Sequence, residues 1–123
     1  MGTRRSVVNV VTAADGTATV YSPYVSGKLC AIHYIKTDFA TGVDFTITAE
    51  ATGQTLWAQN DVDVSTVVMP RTATHTTAGV AALYAAAGTA VGDLIRLSRD
   101  RIKIAIAQGG ATKTGQFQIV MED

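Results

Sequence analysis

The chain has 123 residues, 47% of them apolar, and ten basic residues balance ten acidic ones for a formal net charge of zero. That length accommodates one domain, able to bury roughly two-thirds of the surface its unfolded form exposes, and leaves no room for a second. Neutrality removes the positive field behind non-specific nucleic-acid affinity, so nucleic acid is not the expected partner, and it separates the chain from acidic disordered tails.

The apolar residues are mainly Val, Ile and Ala, with abundant Thr and Gly and only two prolines, a balance that favours strands. Cys30 is the single cysteine, which rules out an internal disulfide and a cysteine-based zinc site and fits folding in a reducing cytoplasm. The first nine residues hold two arginines and one short Val pair, too little for the apolar region of a signal peptide. No apolar stretch reaches membrane-span length; the nearest, Gly79 to Val91, is Ala-rich and interrupted by glycine. The expectation is a soluble protein with no membrane partner.

Alternation of apolar and polar residues recurs along the chain, and no sustained helical period does. Arg4 to Thr12 reads as the first strand, and Asp15-Gly16 as a hairpin turn returning Thr17 to Val25 against it. Pro23 lacks an amide hydrogen and assigns that second strand to a sheet edge or a bend. Lys28 to Thr37 has Leu29, Ala31, His33 and Ile35 on one side and Cys30, Ile32 and Tyr34 on the other, so it should be central. Phe45 to Glu50 turns Phe45, Ile47 and Ala49 inward, and Ala51 to Gln54 forms the next turn.

Thr55 to Gln59 carries the only tryptophan, and Val64 to Met69 is closed by Pro70. Arg71 to Asp93 lacks a clean period and reads as one long ordered loop, with at most a helical turn near Ala85 to Ala87. Leu94 to Ser98, Arg101 to Gln108 and Gln116 to Met121 complete the set. Ile102, Ile104 and Ile106 share one face, as do Phe117, Ile119 and Met121, and Gly109-Gly110 opens the last hairpin turn. Seven to nine short strands with explicit turns define an all-β chain, an antiparallel sandwich or barrel.

The residues assemble no catalytic set. A nucleophilic triad needs a histidine oriented by a carboxylate, and only His33 and His75 are present. His33 reads as a buried, hydrogen-bonded core residue; His75 lies in the long loop without a second histidine at zinc spacing. Asp61 and Asp63 resemble the start of a calcium loop but lack its glycine and terminal glutamate, and Gly109-Gly110 with Lys113 lacks the helix of a phosphate cradle. No catalytic residue, metal or cofactor is therefore assigned, and the chain is not expected to be an enzyme.

Candidate protein contacts are Arg4 and Arg5, as part of an N-terminal arm, with Arg71, His75 and Tyr84 of the long loop. Arg99, Arg101 and Lys103 join them, because alternate strand positions project together as a basic ridge. A solvated outer face opposite three isoleucines is the plainer account of that ridge.

Three stretches carry a resemblance: Tyr34 to Phe39 followed by Gly42 to Thr46; Pro70 to Gly79; and Arg101 to Ile104 through Ala107 to Gly115. In these the chain resembles small β-rich virion proteins encoded among the head genes of tailed bacteriophages. The resemblance implies a capsid decoration or cement protein made in the host cytoplasm and carried on the virion. It implies a homotrimer that bridges neighbouring subunits of the phage major capsid protein. Better-known decoration proteins have a long arm before the first strand; with Arg4 already at that strand, an arm here would be very short. The alternatives are another virion part (tail-tube, head-completion or fibre-base protein) and a carbohydrate-binding β-sandwich module. The latter would use Trp57, Tyr21, Tyr24 or Tyr84 as sugar platforms.

Overall fold

The computed structural model describes residues 2–73 and 92–122. Its strands are β1 (Thr3–Val11), β2 (Ala18–Tyr21), β3 (Val25–Lys36), β4 (Val43–Ala49), β5 (Thr55–Val62), β6 (Thr66–Val68), β7 (Arg71–Ala73), β8 (Gly92–Asp100), β9 (Ile102–Ala107) and β10 (Thr114–Glu122). They form two antiparallel sheets that face each other as a sandwich. The larger has six strands in the order β1-β10-β3-β8-β7, with β6 also on β3; the smaller has the order β2-β9-β4-β5. Neither sheet closes into a barrel among the described residues.

Between the sheets lies one apolar cluster, in which the expected inward sets recur: Phe45, Ile47 and Ala49; Ile102, Ile104 and Ile106; Phe117, Ile119 and Met121. Each of the isoleucine, phenylalanine and methionine side chains removed from water contributes about 1.5–3 kcal/mol, which is why a period of two is enough to hold the sheets face to face. At its centre, the Tyr34 ring lies 5.3 Å from Phe45 and 5.2 Å from Phe117, and Phe45 meets Trp57 edge-on at 4.6 Å.

Four expectations are corrected. First, β1 and β2 do not form a hairpin: β1 pairs with β10 over nine consecutive positions, while β2 pairs with β9 in the other sheet. Gly16 does take the positive φ expected of it (+82°). Its turn nevertheless carries the chain across the sandwich, because Gly16 O accepts from Gly109 N and docks onto the β9–β10 turn. That second turn also joins different sheets. Pro23 follows β2, which is indeed an edge strand.

Second, β3 is central, flanked by β10 on one side and by β8 and β6 on the other. Its alternation is broken, however. The register with β10 shifts at Val120/Met121, so Ala31 opposes Val120 and Leu29 opposes Met121, with Cys30 as the extra residue. This β-bulge re-aims the strand. Leu29 therefore joins Ile32 and Tyr34 in the core, and His33 and Ile35 turn outward. His33 is half-buried on the outer face and is not a core histidine.

Third, the segment Arg71 to Asp93 is not a loop at its ends: Arg71 to Ala73 form β7, which pairs with the start of β8, Ala73 opposite Gly92. The rest of that segment, including Ala85 to Ala87, lies outside the described residues. Fourth, Arg4 and Arg5 are not an arm. They sit within β1, opposite Met121 and Val120.

Six connections change sheets, and they give the sandwich two distinct ends. The upper end carries the β1–β2, β3–β4, β5–β6 and β9–β10 connections. The lower end carries β2–β3, β4–β5 and β8–β9.

Candidate contact surfaces

The lower end is organised around Ser22 and Asp100, both buried. Ser22 N donates to Ile102 O (2.9 Å) and Ser22 Oγ accepts from Ile102 N (2.9 Å), prolonging the β2–β9 pairing past Tyr21. The same hydroxyl donates to Pro23 O (2.8 Å), which pins the turn that presents Tyr24. Asp100 Oδ1 accepts from the backbone amides of Ala51 (2.9 Å) and Arg101 (2.8 Å), tying the β8–β9 turn to the β4–β5 turn. Arg99 occupies the tight position of that turn with φ +46° and donates its amide to Ser26 Oγ at 2.8 Å.

On this frame the side chains form a platform. The Arg101 guanidinium lies 4.3 Å from the Tyr21 ring centroid and 5.4 Å from that of Tyr24, and Arg99 lies 5.9 Å from Tyr24. Such stacking is worth about 0.5–1 kcal/mol at an exposed site. Arg101 also grips Glu50 with both prongs, Nε to Oε1 at 2.8 Å and Nη2 to Oε2 at 2.5 Å. Those hydrogen bonds hold the Glu50 carboxyl below its ordinary range, opposed by a smaller effect of burial. Tyr24 remains 61% exposed and Tyr21 40%. Two aromatic faces are thus fixed in place while still open to a partner.

The expected basic ridge is therefore altered. Arg99 and Arg101 do gather, but Arg101 is neutralised by Glu50, and Lys103 stands on the outer face of the smaller sheet opposite Tyr21. Arg4 joins this end through Nη2, which donates to Ser26 O at 2.9 Å. Arg5 lies on the outer face of the larger sheet, in the row of Val120 and Ala31. Arg71 is also on that sheet, with Nη1 donating to Cys30 O (3.2 Å) and Pro70 O (2.7 Å). His75 and Tyr84 lie outside the described residues.

The sequence reading missed the pairing of Arg101 with Glu50 and the enclosure of Arg101 by two tyrosines. Glu50 and Tyr21 are 51 and 80 positions away, too far for any local pattern to register. It also offered Trp57 as an exposed sugar platform. Trp57 is only 7% exposed, packs on Phe45, and donates Nε1 to Gln59 Oε1 at 3.0 Å. Its faces are not available for stacking on a ring.

At the upper end the carboxylates are used as loop anchors. Asp63 Oδ1 accepts from Gly42 N (2.8 Å), Asp44 Oδ1 from Asp61 N (2.9 Å), and Asp38 Oδ1 from Thr114 N and Oγ1. Asp15 accepts from Thr17 in the same way. Of the lysines and arginines, only Lys36 and Lys113 belong to this end; the other eight lie in the lower half. A formally neutral chain is thus electrically two-ended. Compared with known protein families and with curated proteins, the chain matches none of them.

Proposed function

We propose that this chain is a structural protein of a tailed-bacteriophage virion, a decoration or cement protein that docks on the capsid as a homotrimer and bridges major capsid subunits. The resemblance of the three sequence stretches supports this reading. The observation that carries it structurally is the lower-end platform, in which Tyr21, Tyr24 and Arg99 are presented on a rigid frame. Tyr and Arg dominate the energetics of protein interfaces, and groups already held in place lose little entropy on binding. Repetition over a shell then turns modest individual contacts into durable attachment.

The test is to add purified protein to capsids assembled without it and to image the particles. The expected result is density at regular shell positions with threefold symmetry, together with a higher temperature of capsid rupture. Tyr24→Ala should weaken docking at least tenfold, about 1.4 kcal/mol, without changing the fold. Undecorated shells, or rings of six or twelve copies on a tail, would remove the cement reading.

A further inference from the structure

On the outer face of the larger sheet, Lys28 of β3 stands directly opposite Arg96 of β8. Both point away from the core, since their neighbours Leu29, Ile95 and Leu97 are buried. Like charges facing each other across a ladder destabilise the pair. A carboxylate, Glu122, faces Lys28 from β10, but neither cation makes an ion pair among the described residues. Glu122, the partner of Lys28 on its other side, instead has Oε2 3.7 Å from Cys30 Sγ. Arg71, held at Cys30 O, adds a third cation nearby.

The two residues also line one groove with Gly27, Leu97 and Ser98, of about 320 Å³ and with mainly hydrocarbon walls. Gly27 has φ +123°, and the β3–β8 register slips between Val25 and Gly27, so the sheet is locally irregular at the groove. A cationic rim around a hydrocarbon groove is complementary to a carboxylate on an aliphatic stem. It is less well matched to a phosphodiester chain, whose binding draws on a long track of cations, whereas the groove itself is rimmed by two.

We propose that the Lys28–Arg96 pair is a docking site for a Glu or Asp side chain of an acidic segment in a protein partner. Binding that carboxylate relieves the repulsion between the two cations, so the repulsion carried by the free protein favours the bound state. This site lies on the outer face of the larger sheet, adjoining the platform's frame at Ser26 and Arg99, and its assignment does not depend on the virion reading.

The test uses the full chain at low ionic strength, titrated with hexaglutamate by calorimetry, alongside Lys28→Gln, Arg96→Gln and, at the opposite end, Lys113→Gln. Wild type and Lys113→Gln should bind alike, and Lys28→Gln and Arg96→Gln at least tenfold more weakly. Arg96→Gln should also melt at a higher temperature than wild type, because the repulsion is gone while Lys28 still faces Glu122. Absence of hexaglutamate binding, equal binding by all four proteins, lower melting of Arg96→Gln, or tighter binding of a single-stranded oligonucleotide of equal charge would each overturn the proposal.

Discussion

Tyr34 shows how an element pattern leaves its mark on one residue. Alternation with Ile32 places it in the aromatic centre of the core, on the side that Leu29 joins through the bulge at Cys30, and its hydroxyl has no hydrogen-bond partner among the described residues. Burial pushes its phenol up to about 12. An unsatisfied buried hydroxyl costs more than it returns, so Tyr34→Phe should raise unfolding stability by about 1 kcal/mol, read from urea midpoints at constant slope. Asp38 makes the opposite case. The hydrogen bonds from Thr114, backbone first and side chain second, hold its carboxyl below the ordinary 3.8. A depressed folded pKa means that the contribution to stability is present above 3.8 and disappears as pH falls through the folded value. Asp38→Asn should therefore lower the melting temperature at neutral pH, and the gap from wild type should close in acid. A gap constant with pH would show that the charge plays no part.

Between elements, β10 packs tightly on the β3–β4 connection at Gly115. A Cβ on Gly115 would lie 2.4 Å from Phe39 Cε2, and Phe39 is buried with its ring stacked 6.1 Å from Tyr34. Glycine is required here by space, not by backbone freedom. Gly115→Ala should destabilise by about 1–3 kcal/mol through overpacking. Combining it with Phe39→Leu should recover part of the loss, giving a coupling energy in a double-mutant cycle. Additive effects would mean that the two residues do not press on each other. The same scale shows where local reading stops. Inward faces of β4, β9 and β10 were legible because alternation is a property of each strand alone. The pairing of β1 was not, because its partner β10 begins more than a hundred residues further on and a turn motif carries no record of which sheet follows it. The bulge in β3 was equally invisible, since it exists only in the register between two strands.

For the whole molecule, the all-β class follows from composition and period, which left a sandwich or a barrel, and the two open sheets make it a sandwich. The segregation of charge does not follow from either. Asp38, Asp44 and Asp63 are scattered in the sequence, as are Arg4, Lys28, Arg96 and Arg99, and each group comes together because successive antiparallel strands place their connections at alternate ends. A neutral total therefore conceals a directional field, which would orient an approaching partner before contact and would fade within a Debye length of about 8 Å at physiological salt.

What the amino-acid order decided alone was most of the strands (β7 excepted), the inward sets of isoleucine and phenylalanine and the positive φ at Gly16, because each depends on a residue and its near neighbours. Tertiary structure decided the rest: which sheet β1 and β2 join, the outward turn of His33, the enclosure of Arg101 by Tyr21, Tyr24 and Glu50, and the facing cations Lys28 and Arg96. All of these arise from contacts between segments tens of residues apart, where register across a ladder sets which side chains meet.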